Sequence, residues 1–318
     1  MRPDSSFLTL RWLFRAGPVL GLVLVYVLFA SLSFERFATW TNHTIMLQQT
    51  AVIGIGALGM TLIIISGGVD LSFGSIIAVC SVVVALLLQQ GWPPLAAAFA
   101  AMGAGALAGF CTGTLITRLR LMPFIVTLGT MGILRGAAKG LASEQPIYPD
   151  ETWLNSLMQL QPRNLPTGVW LMLVLAVLVS IALHYTKFGR HVFAIGSSEP
   201  TARLCGIRVE RTKVLVYTIG SALAGISGLL QYAYLTAGDP TTAVGLELNI
   251  IAAVVIGGAS LSGGSGTITG TLVGALIMTV VNNGCTKLDM PNWVQEIVTG
   301  VIIVAAVTLD RLRRRRDS

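Results

Sequence analysis

Apolar residues gather into long blocks along this chain, and polar residues gather into the short stretches between them. The blocks run over 17–34, 46–66, 72–89, 94–116, 122–140, 168–185, 214–235, 248–262, 266–284 and 293–310. An α-helix needs roughly 20 apolar residues to cross a bilayer, so each block reads as one crossing. The alternating segments of a transmembrane barrel are absent. The pattern predicts an all-α, polytopic membrane bundle of about ten transmembrane helices. Several blocks are rich in Gly, Ala and Ser, as between Ala96 and Gly113, which lets helix backbones approach closely in lipid. The first block is long enough to span and lacks a small-residue cleavage site, so it is expected to stay as the first helix.

Composition narrows the classes further. Of 318 residues, 54% are hydrophobic and 11% charged, whereas a soluble domain carries about 25% charged residues. Disorder, collagen and a disulfide-stapled secreted fold are excluded. Ten spans use about 200 residues, which leaves one transmembrane domain over 1–318 and no room for a soluble catalytic domain. Cys80, Cys111, Cys205 and Cys285 form no CxxC pair and have no nearby His, so they read as packing residues, not metal ligands.

The net charge of +7 is unevenly placed. With the N-terminus in the cytoplasm and ten alternating spans, 16 of the 21 Lys and Arg fall inside, against Arg36, Arg135, Lys139, Arg163 and Lys287 on the other side. That skew predicts both termini inside. The basic tail 311–318 then lies beside anionic lipid headgroups, which accounts for it without nucleic acid. Two connections exceed a turn: an outer one, Ala142 to Thr167, and an inner one, 185–213, the only sizeable cytoplasmic loop.

Several chemistries are missing. No Lys follows a Gly, so there is no Walker A motif and no ATP site of that kind. Two GxSG tetrapeptides, at Gly225 and Gly263, lack a His on a later helix to serve as base. No acid sits mid-span, which disfavours ion-coupled carriers. No catalytic residue, metal site or cofactor is expected in the chain.

Three motifs remain. Gly67-Gly68-Val69-Asp70-Leu71-Ser72-Phe73-Gly74-Ser75 is repeated 190 positions later as Gly257-Gly258-Ala259-Ser260-Leu261-Ser262-Gly263-Gly264-Ser265, with six of nine positions identical. Two readings stand: a pair of glycine-rich turns, or equivalent breaks beside a translocation path, with Asp70 as a cap for the following helix. The inner loop holds Ser198 as an N-cap, Glu199 and Pro200 in a first turn, and Gly206 as a stop. It predicts one short helix whose Ala202, Leu204 and Ile207 need a covering partner. The third motif, Gly238-Asp239-Pro240 followed by Gly245-Leu246-Glu247, puts Asp239 and Glu247 on the outer face. They read either as contacts for an external protein or, for Asp239, as a solvated turn. Polar candidates for the path are Asp70, Ser72, Gln48, Gln49, Gln231, Asn249, Ser262, Asn282 and Asn283.

Nearly the whole chain resembles the membrane permeases of bacterial ABC importers for ribose and related monosaccharides. The resemblance is carried by GGVDLSFGS, by PFIVTLGTMGILRG (Pro123 to Gly136), by AIGSSEPTARLCGI (Ala194 to Ile207) and by GLELNIIAAVVIGGASLSGGSGT (Gly245 to Thr267). Gly196-Ser197-Ser198 stands where relatives often have GGN. The resemblance implies an inner-membrane permease working with cytoplasmic ATPase subunits or a double-length ATPase, which would bind the ATP. It also implies an external sugar-binding protein and a second permease copy, identical or related. By the same resemblance, the loop residues Gly196, Ser197, Ser198, Glu199, Ala202, Arg203, Leu204, Gly206 and Ile207 form the coupling helix that enters the ATPase. The alternatives are a permease for a branched-chain amino acid, a nucleoside or a signalling sugar derivative, and an ion-coupled secondary transporter.

Overall fold

A computed structural model describes residues 5–160 and 165–317, with side chains described between 17 and 308. The side chains of Arg2, Arg11, Arg15 and Arg163, and of the tail 311–318, lie outside the described residues. Ten helices correspond to the ten blocks: α1 (Ser5–Leu32), α3 (Trp40–Ile65), α4 (Phe73–Gln89), α5 (Pro94–Arg118), α6 (Pro123–Leu141), α7 (Thr167–Tyr185), α10 (Val209–Leu235), α11 (Leu246–Ile256), α12 (Ile268–Lys287) and α13 (Asn292–Asp317). Three short helices join them: α2 (Phe34–Phe37), α8 (Lys187–Ser197) and α9 (Glu199–Leu204). No strand occurs among the described residues. Five of the helices, α3, α5, α7, α10 and α12, are long and apolar enough to cross a membrane by length and composition.

The local signals account for the helix ends. Pro94 and Pro123 open α5 and α6, where the missing N–H costs nothing. Thr39 caps α3 by accepting the Asn42 N–H at 3.2 Å, and Thr267 caps α12 by accepting that of Gly270 at 3.2 Å. The centre of the bundle is α3, whose residues from Thr50 to Ile65 are all buried. It packs against α10, α12, α11 and α7, and α10 in turn packs against α5 and α4. Gly59 of α3 and Gly220 of α10 face each other with no room for side chains, the close approach that drives helix pairing in lipid.

Two expectations are corrected. The block at 248–262 is a helix only over Leu246–Ile256, about 16 Å at 1.5 Å per residue, or half a bilayer core. Gly258, Gly263 and Gly264 take positive φ and end it, giving a compact turn where the hydropathy continues. The inner loop holds two helices, not one: α8 was hidden because its buried residues Gly189, Val192 and Ile195 are spaced three apart among mixed polar and apolar residues.

Contacts fix the relative depths. Ser227 Oγ on α10 donates to the Val52 carbonyl, the middle of α3, at 2.7 Å. Ile250 of α11 packs on Gly56, one turn further on. Gly74 in the first turn of α4 lies against Ala243 and Glu247. The first turns of α4 and α11 therefore meet midway through the bundle. Both are the helices that flank the two copies of the glycine repeat.

Candidate functional site

A cavity of about 730 Å³ opens between α3, α10, α11, α12 and α13. Its walls carry seven amide side chains: Gln49, Gln231, Asn249, Asn282, Asn283, Asn292 and Gln295. Thr279, Thr286, Thr299 and Tyr234 add hydroxyls, and Glu247 and Glu296 add the only charges. Two of the amides, Gln49 and Asn282, make only long contacts across the space. Gln49 Nε2 lies 3.4 Å from the Tyr234 hydroxyl, and Asn282 Nδ2 lies 3.3 Å from Asn249 Oδ1. Each amide offers donors and acceptors together, so a neutral polyhydroxylated solute can replace these long contacts one for one.

The structure sorts the candidates named from sequence. Gln49, Gln231, Asn249, Asn282 and Asn283 line the cavity. Asn283 spends its amide on α3: Asn42 Nδ2 donates to its Oδ1 at 2.9 Å and its Nδ2 donates to Asn42 Oδ1 at 3.1 Å. Gln48 points the other way and donates to the Met158 carbonyl in the 142–166 connection. Asp70 and Ser72 are buried away from the cavity. Asp70 Oδ1 accepts the Ser72 N–H at 2.8 Å and its hydroxyl at 2.5 Å, which sets the turn that starts α4. Ser262 lies in the glycine turn after α11. Glu247, expected at the outer surface, is half-buried at mid-depth beside Gly74 and lines the cavity, because the chain re-enters the bundle before α11 begins. Asp239 stays in that re-entrant segment and closes its own turn, with Oδ1 accepting the Thr241 N–H and hydroxyl, both at 2.7 Å.

Sequence reading missed Tyr234, Thr279, Thr286, Asn292, Gln295, Glu296 and Thr299. The signal was available as periodicity. On α12 the polar positions Thr279, Asn282, Asn283 and Thr286 recur at i, i+3, i+4 and i+7, and on α13 Asn292, Gln295, Glu296 and Thr299 repeat the same spacing. Each set is one polar stripe on an otherwise apolar helix.

At one end of the bundle, which we term the loop end, α8 and α9 form a helical hairpin. Thr186 caps α8 through the Gly189 N–H at 3.3 Å, and Ser198 caps α9 through the Thr201 N–H at 3.4 Å. Gly206 ends α9 at φ +80°, the left-handed stop expected of it. Ala202 is only 4% exposed and packs with Ile195, Ile207 and Val209. The expectation that Ala202 faces a partner is corrected: at the fourth position of so short a helix it turns toward α8 and α10. Leu204 is 89% exposed and is the apolar side chain left on the surface. Glu199 fastens the hairpin to α10. Its Oε2 meets Lys213 Nζ at 2.6 Å and its Oε1 meets Arg203 at 3.3 Å, while Arg203 reaches Glu210 at 2.5 Å. The Lys213 hydrogen bond holds the Glu199 carboxyl below the usual carboxylate range, against a smaller opposing effect of burial.

The hairpin joins the bundle at a point where both glycine repeats converge. Gly196, near the end of α8, sits directly against the Ile65 carbonyl at the end of α3 and against the Gly264 N–H. That N–H donates to the same Ile65 carbonyl at 2.9 Å. Gly263 approaches Gly196 and the Cα of Gly67, and Ser197 lies against Gly264. A side chain at Gly196 would overlap the backbone of two neighbours. The repeats thus form one seam with the loop, and α11 links that seam to the cavity wall.

Comparison with known proteins agrees with this geometry. A family described as branched-chain amino acid transport system / permease component matches residues 43–307. The ribose import permease protein of Escherichia coli is 37% identical over 312 residues, covering 97% of each chain. That of Bacillus subtilis is 38% identical over 301 residues, 93% of this chain and 92% of its own. The fructose import permease protein of Rhizobium meliloti is 33% identical over 310 residues, 94% and 86% respectively. No solved structure matches.

Proposed function

The chain belongs to this family of import permease components, and from that premise we propose that it carries a monosaccharide through the amide-lined cavity, powered by an ATPase that docks on the α8–α9 hairpin. It is a multi-pass membrane protein of a transporter family, not an enzyme family. The observation that carries the substrate class is the wall chemistry: among the described residues, seven amides, four hydroxyl side chains, two acids and no Lys or Arg. A sugar presents hydroxyls that amides and hydroxyls can match without any charge. An amino acid carries a carboxylate that would face Glu247 and Glu296 with no cation to receive it. The family description favours the amino acid reading, and the cavity and the ribose and fructose relatives favour the sugar.

The remaining parts follow by chemistry. The permease binds no ATP itself; the ATPase subunits do. We place the loop end in the cytoplasm, from the skew of basic residues, with both termini there in the bacterial inner membrane. An external sugar-binding protein then meets the opposite, far end, and a second copy of this chain or a related one completes the channel. Exposed Leu204 and Cys205 form the surface offered to the ATPase.

The test is uptake in proteoliposomes containing the permease, its ATPase and its binding protein, over a panel of ribose, fructose, other monosaccharides and leucine. ATP-dependent accumulation of one monosaccharide, reduced by Asn282→Ala, is the expected result. Accumulation of leucine and of no sugar overturns the substrate class.

A further inference from the structure

The motif Pro123–Gly136 takes no part in the cavity lining or in the hairpin, yet it holds one charged residue, Arg135. A charge on a membrane helix needs a partner, and this one has two backbone partners on a separate segment. Arg135 Nη1 donates to the Pro240 carbonyl at 3.0 Å and to the Thr242 carbonyl at 2.7 Å. Gln231 of α10 reaches the same turn and donates to Thr242 Oγ1 at 2.8 Å. The segment so held, 236–245, delivers Val244 and Gly245 to the cavity wall and leads straight into Glu247 and Asn249. At its other side Gly238 pairs with Ile147 through two backbone hydrogen bonds, N–H to carbonyl at 2.9 and 3.0 Å. Ile147 belongs to the 142–166 connection on the far-end surface. The carboxylates of Asp239 and Glu247 face the guanidinium and favour its position.

We propose that Arg135 is the positioning residue of a far-end latch: by holding the Pro240 and Thr242 carbonyls it keeps the 238–245 segment seated against the cavity. Release of the segment then opens the cavity to the outside when the binding protein docks on the 142–160 surface. The latch rests on reading the cavity as the path and the far end as the outer face. Both bonds come from one terminal nitrogen, Nη1, which stands one bond further from the backbone than a Lys Nζ.

The experiment uses the complete transporter in proteoliposomes, with the native cysteines replaced by alanine and Asn249→Cys as a cavity reporter. Labelling by a membrane-impermeant maleimide and ATP turnover with and without loaded binding protein are measured for Arg135, Arg135→Lys and Arg135→Gln. Arg135→Gln should label roughly tenfold faster, the size of shift expected when charge-assisted hydrogen bonds are lost. Its ATP turnover should rise without binding protein, so that stimulation falls, and Arg135→Lys should lie between. Wild-type labelling and stimulation in Arg135→Gln overturn the latch, as does a smaller amount of inserted protein whose labelling and stimulation are unchanged. Should Arg135→Gln not insert, wild-type behaviour of Arg135→Lys overturns it in the same way. A wild-type transporter that imports no solute tells against the proposed function instead, and the labelling rates still report on the latch.

Discussion

On its far-end side α11 is reached through the 236–245 segment, which Arg135 and Gln231 hold with long polar side chains. On its loop-end side α11 leaves through the 257–264 turn, whose glycine backbone meets the Ile65 carbonyl and Gly196 directly. The two attachments suit opposite tasks. Hydrogen bonds from a flexible side chain break and reform with little steric change, so the segment they hold can lift. A glycine contact between backbones has no slack, so a displacement of α8 becomes a displacement of α11 and of the Gly67 turn together. One end of the same half-length helix is fastened to open, and the other is fastened to follow.

The seam side of this contrast is broken most directly at Gly196. A valine there would overlap the Ile65 carbonyl and the Gly264 N–H, and overpacking of this kind costs about 1–3 kcal/mol. We expect Gly196→Val to lower import by more than roughly tenfold, as measured by uptake per inserted permease. Import at the wild-type level would show that the seam has slack and would end the comparison.

The second test separates the seam from the docking surface next to it. Ala202 and Leu204 lie two residues apart on α9, one buried and one exposed. Ala202→Asp buries a carboxyl among Ile195, Ile207 and Val209, at a cost of about 2–7 kcal/mol for the neutral, unbonded acid and more for the carboxylate. It should open the hairpin to proteolysis even when the permease is alone. Leu204→Asp leaves the isolated chain intact and reduces only co-purification of the ATPase. Equal proteolysis of the two variants would mean that both side chains are structural.

The helices were legible because hydropathy states them: ten blocks became ten helices, five of them long and apolar enough to cross, and Ser198 and Gly206 bounded α9 as their chemistry requires. What stayed hidden was depth. A run such as Leu248 to Ser262 is equally apolar whether it spans or turns back, so Glu247 was assigned to a surface that it does not reach. The cavity was half legible, since single amides on α3 and α11 gave no pattern while the stripes on α12 and α13 did. The meeting of the two glycine repeats at Gly196 joins residues far apart in sequence through backbone contact, which leaves no mark on side-chain chemistry beyond the absence of a side chain.

The smallest effect belongs to the ion pairs that tie α9 to α10, and it sharpens the contrast through salt and pH. Glu199 is 41% exposed, so its pairs with Lys213 and Arg203 are screened and contribute about 0–1 kcal/mol at neutral pH. Its carboxyl is held below the ordinary value in the folded chain. That contribution is therefore complete above the ordinary Glu value of about 4.3 and is lost as pH falls through the lowered folded value. Glu199→Gln should change import by less than about fivefold at pH 7. Hydrogen exchange over 199–206 should rise with ionic strength in the wild type and less steeply in the variant, which keeps only the Arg203–Glu210 pair. The contact of Gly196 with Ile65 and Gly264 is made by uncharged backbone groups, so exchange at Gly264 should ignore ionic strength in both chains. A salt-dependent Gly264 amide would show that the ion pairs, not the glycine contact, hold the hairpin to the bundle.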